Sequence, residues 1–492
     1  MWSFFKKNKF LALILLLTFL LRLPSLFEPY WYGDEGIYLT LGLAIKNGLL
    51  LYRDIYDNKP PLIYLLAAMA GNLFWFRFIL LTFCLSSMVL MFKICQIAFP
   101  KRIFVQRLVL VIFLLLLNLP YLEGNITNSE ILQILPNLLA IWLLFRTGKT
   151  TKITYFVIGL CFGFSLMLKI PAIFDLAAII FFLYFLSKPQ NNLWPPRNLP
   201  LIHRLIFLLL GAVLPFLICS LYYFRLNYLK EFLSIIFLQN FGYLSSWETG
   251  SQQSSILKSG LTQKLLFCSL VLAYLFFSKK KVYVRLSLLI EVWFAFSLLA
   301  ATLSNRPYAH YLLQTIGPLC LLVGVILVEK ERIRNLAILG ILVLLLIFYK
   351  TRFWTYPVLP YYRNFFQFAL GEKNKNQYFS YFDQKVPLVY NISNFLLTNY
   401  SLNDGRIFMW ADESYLYPLA NKIPTGRFAA AYHIIDFNKY KEVETALRNK
   451  PPKIIIVDKN KKDPFPELNR LLGEKYLLVN NQDNFKIYRL RK

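Results

Sequence analysis

Nearly unbroken apolar runs, such as FLALILLLTFLL at 10–21 and LVLVIFLLLL at 108–117, recur through the first 350 residues of this chain. Few folds remain open to such a pattern. In hydrocarbon a backbone must satisfy its own N–H and C=O groups, which leaves helices and closed barrels. Runs of this length without period-two alternation read as membrane helices. Composition agrees, since 57% of residues are hydrophobic and mean hydropathy is +0.49. The formal charge of +28 could indicate a nucleic-acid partner. The basic residues argue against one, because they sit in short clusters between apolar runs, the positive-inside pattern of a multi-span protein. The six cysteines all fall inside apolar runs without paired spacing and read as small packing residues.

The basic clusters set an expected topology. They lie at Lys101, Arg102 and Arg107; Arg146, Lys149 and Lys152; Lys188, Arg197 and Arg204; Lys279 to Lys281 with Arg285; and Lys330, Arg332 and Arg334. With each cluster on the cytoplasmic side, spans fall near 10–27, 78–97, 108–122, 131–145, 153–169, 171–187, 205–224, 262–278, 286–302, 311–328 and 335–350. That is about eleven helices, the fifth and sixth nearly continuous. The first, preceded by Lys6, Lys7 and Lys9, reads as an uncleaved span with a cytoplasmic N-terminus, because no small-residue cleavage site follows it. Segments 61–74 and 229–244 are apolar but short, and read as interfacial or re-entrant. The protein is thus expected in the plasma membrane, among its lipids. One face, the outer one, would collect residues 28–60, 121–130, Lys169, 225–260, 304–311 and everything after 350.

Acid is concentrated on that face. Of 26 Asp and Glu, 13 lie after residue 350, and five of the other 13 are Glu28, Asp34, Glu35, Asp54 and Asp57. Glu123 and Glu130 add two more, and the first loop is interleaved with Trp31, Tyr32, Tyr38, Tyr52 and Tyr56. A solvated loop would be richer in Lys, Ser and Gly, so a folded site is the better reading, although the aromatics could form an interfacial belt. A carboxylate at the membrane surface can serve as a general base or hold a metal ion. Lys59, fixed by Pro60 and Pro61, suits a phosphate beside an apolar groove. Acid, lysine and groove together point to a lipid phosphate, and sugars carried on polyprenyl phosphates have that shape.

The stretch DEGIYLTLGLAIKNGLLLYRDIYDNKPPLIY, beginning at Asp34, resembles the first outer loop of GT-C membrane glycosyltransferases. More narrowly it is similar to glycosyltransferase family 39, the protein O-mannosyltransferases, and to the related lipid A aminoarabinose transferases. NSEIL with Glu130, GFSLMLKIP with Lys169, RPYAHYLLQTIGP with Arg306, His310 and Tyr311, and the tail segments RIFMWADESYLYPLANKIPTGRF and PPKIIIVD also resemble the family. The resemblance implies an all-α polytopic GT-C fold and transfer, with inversion, of a sugar from a polyprenyl-phosphate-linked donor to a lipid, glycan or protein acceptor. It implies Asp34 as catalytic base, Glu35 and Glu130 as further catalytic acids, and Lys59 on the donor phosphate. Lys169, Arg306 and His310 would be secondary phosphate contacts. A divalent metal would draw on Asp34, Asp57 and Glu130. The aminoarabinose transferases carry a metal-binding glutamate before the lysine; here Asn58 holds that place, and the mannosyltransferases use no metal.

Each site residue has a plainer reading. Lys169 could snorkel at a helix end, His310 could be a satisfied interfacial histidine, and Arg306 could anchor a loop to lipid. Glu35 could face away from Asp34 and serve structure. Asp175 and Glu291, within spans, need partners; Asp175 is expected to join the site and Glu291 to pair with a basic residue at the inner end. Residues 1–350 are expected to form the transmembrane catalytic domain, and 351–492 a small extracytoplasmic α/β domain. In the latter RIFMWA and KIIIVD read as strands, VPLVYNISNFLLTNY and YKEVETALRNK as helices, and KYLLVNNQDNFKIYRL as a hairpin. Two other classes fit the composition: a transporter or flippase of lipid-linked saccharides, and an O-antigen ligase or polymerase. A transporter would show ionisable groups at midplane or repeated halves, and a ligase a large basic late loop.

Overall fold

The computed structural model describes residues 8–146, 151–186, 199–239, 285–304, 306–400, 405–482 and 484–491. Among the described residues five helices are long and apolar enough to cross a membrane: Lys9–Phe27, Leu73–Ala98, Leu201–Arg225, Ala309–Val328 and Ile333–Thr351. Shorter apolar helices are Ile103–Asn118, Ser129–Phe145, Lys152–Leu168, Ile170–Phe185 and Leu286–Ala301. The molecule is a mostly helical multi-pass membrane protein with a small C-terminal sheet. These ten helices fall on ten of the expected spans; the other, 262–278, lies outside the described residues.

Three local expectations gain detail. The second span begins at Leu73 rather than near 78, so segment 61–74 divides into the short helix Leu62–Ala70 and the first turn of the next. The nearly continuous fifth and sixth spans are cleanly separated. Lys169 is extended (φ −156°, ψ 130°) and Pro171 sits in a single 3₁₀ turn before the helix resumes at Ile173; proline lacks the N–H that would continue the preceding helix. Of segment 229–244, residues 229–239 are described, as Leu229–Leu233 and a π-helical turn at Ser234–Leu238.

The chain separates into two compact units, and the division does not fall at residue 350. One comprises Met1–Leu23 and Leu80–Val358, the other Pro24–Ile79 and Leu359–Lys492. The acidic first loop therefore belongs to the same unit as the C-terminal residues.

In the first unit the helices Lys152–Leu168 and Leu201–Arg225 touch backbone to backbone. A Cβ on Gly159 would come within 1.9 Å of the Leu208 carbonyl oxygen, and one on Gly211 within 2.0 Å of that of Phe156. Small residues permit this approach, the usual means of associating helices in lipid. Polar groups are gathered inside. Asp175 accepts hydrogen bonds from Asn137 Nδ2 (3.2 Å), Trp293 Nε1 (2.7 Å) and Gln314 Nε2 (2.7 Å), so it braces three helical segments rather than joining the outer-loop acids. Glu291 does not take the basic partner expected for it: it is buried, and among the described residues neither carboxylate oxygen has a hydrogen-bond partner.

In the second unit five strands, β1 (Arg406–Trp410), β2 (Ile423–Pro424), β3 (Ile454–Asp458), β4 (Tyr476–Asn481) and β5 (Phe485–Leu490), form one sheet in the order β2-β1-β3-β5-β4. β1 is parallel to β2 and β3, while β5 is antiparallel to β3 and β4. Helices Val386–Asn399 and Tyr440–Asn449 occur where the tail pattern places them. Helix Pro466–Lys475 and the amphipathic Val358–Ala369 are additions to that pattern.

The second unit turns on Arg77, which has no exposed side-chain surface. Its guanidinium meets Glu28 at 2.8 Å and Glu35 at 2.5 Å, and donates to the Ser25 carbonyl at 2.8 Å. Glu28 accepts further bonds from Trp31 Nε1 (2.8 Å) and the Tyr361 hydroxyl (2.5 Å). Replacing Arg77 by leucine strands two buried carboxylates, at a cost of about 3–5 kcal/mol. The expected result for Arg77→Leu is a large fall in the melting temperature and folded yield of the detergent-purified protein, and a melting curve equal to wild type would refute this account.

Candidate active site

The first functional cluster is built in the second unit. Helix Gly33–Lys46 carries Asp34 and Glu35 in its first turn and Lys46 in its last, the charge order that its dipole favours. Tyr38 lies one turn beyond Asp34, so both project from the same face. The Tyr38 hydroxyl donates to Asp34 Oδ2 at 3.0 Å. Lys59 Nζ donates to the same oxygen at 3.1 Å and lies 4.8 Å from the centre of the Tyr38 ring. Asp34 and Lys59, 25 residues apart in sequence, are thus one ion pair. Their side chains are 27% and 21% exposed, so the pair is open to a substrate.

The adjacent carboxylates have other duties. Glu35 points away from Asp34 into the interior, where Arg77 Nε and Nη2 donate to both its oxygens. Its carboxylate is fully engaged, which leaves Asp34 as the accessible acid of the two. Asp57 is buried, accepting from the Tyr64 hydroxyl (2.8 Å) and the Asn58 backbone N–H (2.7 Å). Asp54 is held by Arg53, whose hydrogen bond lowers its pKa, and by the Leu50 N–H. Among the described residues no group of three or more His, Cys, Asp or Glu side chains is placed to hold a metal ion. Asp34 is bonded to Lys59 and Asp57 to Tyr64.

The second cluster lies in the first unit. Glu123 has a left-handed backbone (φ 60°) and accepts from Asn128 Nδ2 at 3.2 Å; His310 Nδ1 lies 2.8 Å from its Oε2. His310 Nε2 is 3.6 Å from Glu130, and Glu130 is ion-paired with Lys169. The Lys169 ammonium stands 4.0 Å from the centre of the Tyr311 ring. Glu123, His310, Glu130 and Lys169 therefore form one row, buried except at the half-buried Lys169. Glu130, singled out in the sequence apart from Lys169 and His310, contacts both of them. Arg306 is also buried, shortly before His310 in the chain.

Several members of these clusters carry little signal in the sequence. Arg77 is the exception, since a lone arginine inside an apolar run needs buried partners. Glu123 is visible as an outer-loop acid, but nothing local ties it to His310. Tyr64 and His433 have no signal: Tyr64 looks like part of an apolar helix, and His433 like a tail residue. His433 Nε2 lies 3.8 Å from Asp57 Oδ1, and its ring packs against Tyr432 and Tyr56.

Comparison with known proteins agrees with this architecture. The fold is that of the GT-C membrane proteins. ArnT from Cupriavidus metallidurans in the apo state aligns with a TM-score of 0.56 at 13% identity, covering 99% of this chain and 98% of that one. The same protein bound to undecaprenyl phosphate aligns with a TM-score of 0.54 at 12% identity, covering 98% and 97%. Residues 390–491 match the family model described as "Putative competence-induced protein Ccs4 C-terminal domain". No curated protein sequence matches the chain.

Burial lowers the His433 pKa from its ordinary 6.5, so the folded protein holds a neutral imidazole beside Asp57. The unfolded chain takes up a proton as pH falls through that value, and the folded chain resists doing so. This contribution to stability is therefore present above pH 6.5 and lost below it. Melting temperature measured from about pH 8 to about pH 5.5 should fall less steeply on the acid side in His433→Gln than in wild type; parallel profiles would show that His433 does not titrate this way.

Proposed function

We propose that the protein is an integral-membrane glycosyltransferase. It moves a sugar from a polyprenyl-phosphate-linked donor to a lipid, glycan or protein acceptor at the outer face of the cell membrane. The observation that carries this reading is the solvent-accessible Asp34–Lys59 pair at 3.1 Å. The GT-C fold supports it, as does the ArnT neighbour bound to undecaprenyl phosphate. The outer-face placement and cytoplasmic N-terminus rest on the distribution of lysine and arginine.

In the resting pair Lys59 neutralises Asp34. A donor phosphate, with more charge and more acceptor oxygens, competes for the ammonium. As Lys59 turns to the phosphate, Asp34 loses its counter-ion and becomes the base for an acceptor hydroxyl. The acceptor oxygen attacks the anomeric carbon from the face opposite the phosphate, and its proton passes to Asp34. The anomeric carbon–oxygen bond breaks with its electrons going to the polyprenyl phosphate, whose developing charge Lys59 stabilises. One displacement inverts the anomeric centre. Tyr38 keeps the Asp34 carboxylate oriented through its hydroxyl. Within the first unit, considered by itself, Glu130 is proposed as a second acid and Lys169, His310 and Arg306 as phosphate contacts.

Purified protein supplied with undecaprenyl-phosphate-linked sugars should release sugar from one of them. Asp34→Asn should lose about 10²–10⁴-fold in turnover while remaining folded. Lys59→Ala should lose about 10²–10³-fold. Turnover in Asp34→Asn equal to wild type would overturn the base assignment. Uptake of the lipid-linked saccharide into vesicles without sugar release would favour a transporter.

A further inference from the structure

Lys59 is gripped at both ends of its backbone by tyrosine hydroxyls. The Tyr52 hydroxyl donates to the Lys59 carbonyl at 2.6 Å, and the Lys59 N–H donates to the Tyr64 hydroxyl at 3.2 Å. Each tyrosine is in turn tied to the C-terminal residues. Arg427 Nη2 donates to the Tyr52 carbonyl at 2.7 Å, and the Tyr56 N–H donates to the Arg427 carbonyl at 2.8 Å. The Arg427 guanidinium also lies over the Tyr56 ring, 5.4 Å from its centre. On the other side Tyr64 donates to Asp57, which faces His433. Tyr52 has φ +68°, a conformation that costs a bulky residue energy and persists only where its surroundings enforce it. Here the Ile55 carbonyl, Arg427 and Lys59 together supply that enforcement.

Asp34 is held from the same stretch of tail. Ser414 Oγ donates at 3.0 Å to the carbonyl of Gly33, the peptide from which Asp34 springs. The Ser414 carbonyl accepts from Thr40 Oγ1 at 3.0 Å, further along the same helix. Gly36 lets the two chains meet: a Cβ there would fall 2.7 Å from both Ser414 Oγ and the Tyr415 nitrogen.

We infer that residues 414–433 are a positioning clamp for the Asp34–Lys59 pair, with Ser414 setting the Asp34 arm and Arg427 and His433 the Lys59 arm. The inference rests on the reading of that pair as the reactive centre. It assigns the C-terminal domain to the geometry of the reaction itself. Ser414 acts through the Gly33 peptide, Arg427 through Tyr52 and His433 through Asp57.

The test reads the ammonium directly, independent of turnover. The full-length protein in detergent is treated with limiting acetic anhydride, and acetylation of Lys59 relative to exposed Lys450 is quantified by mass spectrometry. Arg427→Gln, Tyr52→Phe and Ser414→Ala should each raise Lys59 labelling by about fivefold, the weight of one lost hydrogen bond. Arg427→Lys should restore most of the protection, and Arg448→Ala, on an exposed helix face of the same domain, should change nothing. Tyr52→Phe deletes a single hydroxyl and guards against a misfolded Arg427→Gln. Labelling of Lys59 within about twofold of wild type in all three variants would overturn the clamp. Undecaprenyl phosphate is then added to wild type. Protection of Lys59 supports the donor reading, whereas no protection together with a response in the variants leaves the clamp standing and sinks that reading alone.

Discussion

A buried guanidinium holds the second unit together. Arg77 belongs to the first turns of an apolar helix, where an unpaired charge is costly, and it is compensated by two carboxylates and a carbonyl. Those carboxylates belong to Glu28 and Glu35, which flank the turn leading into helix Gly33–Lys46. The network thereby fixes where that helix begins and how it is rotated. Because Glu35 is drawn inward to Arg77, Asp34, about 100° further round the helix, is left at the surface. The availability of one acid thus follows from the burial of its neighbour.

The two polar clusters share a design. In each, a lysine is paired with a carboxylate and stands against the face of a tyrosine: Lys59 with Asp34 and Tyr38, Lys169 with Glu130 and Tyr311. Such an ammonium is stabilised by the carboxylate and the ring together. The clusters differ in access. Asp34 and Lys59 are each about a quarter exposed, whereas Glu130 and His310 are buried.

Much of this architecture is legible in the amino-acid sequence. Long apolar runs can hardly be anything but helices, so ten apolar helices, five of them long enough to cross a membrane, follow to within a few residues among the described residues. Alternation and β-branched residues reveal the core strands of the tail. The groups that stay hidden are those whose role depends on a distant partner. Nothing local to Asp57 shows that it accepts from the Tyr64 hydroxyl and faces His433. Asp175 looks like a site acid, yet three donors from three other segments make it a brace. Charge arithmetic alone gives Glu291 a basic partner, and burial proceeds without one among the described residues.

The sequence by itself determined that the chain crosses a membrane many times and that a folded α/β module follows. It also determined that acid and lysine gather in the first loop. These are consequences of local composition: the cost of bare peptide groups in lipid, and the patterning of short segments. Only the tertiary structure decided which acid is exposed, that Asp34 and Lys59 meet at one oxygen, and that the loop bearing them packs with the C-terminal module. Those outcomes hang on contacts between residues up to 381 positions apart, such as Gly33 with Ser414. Side-chain direction there is set by long-range packing and burial of charge, which no local pattern encodes.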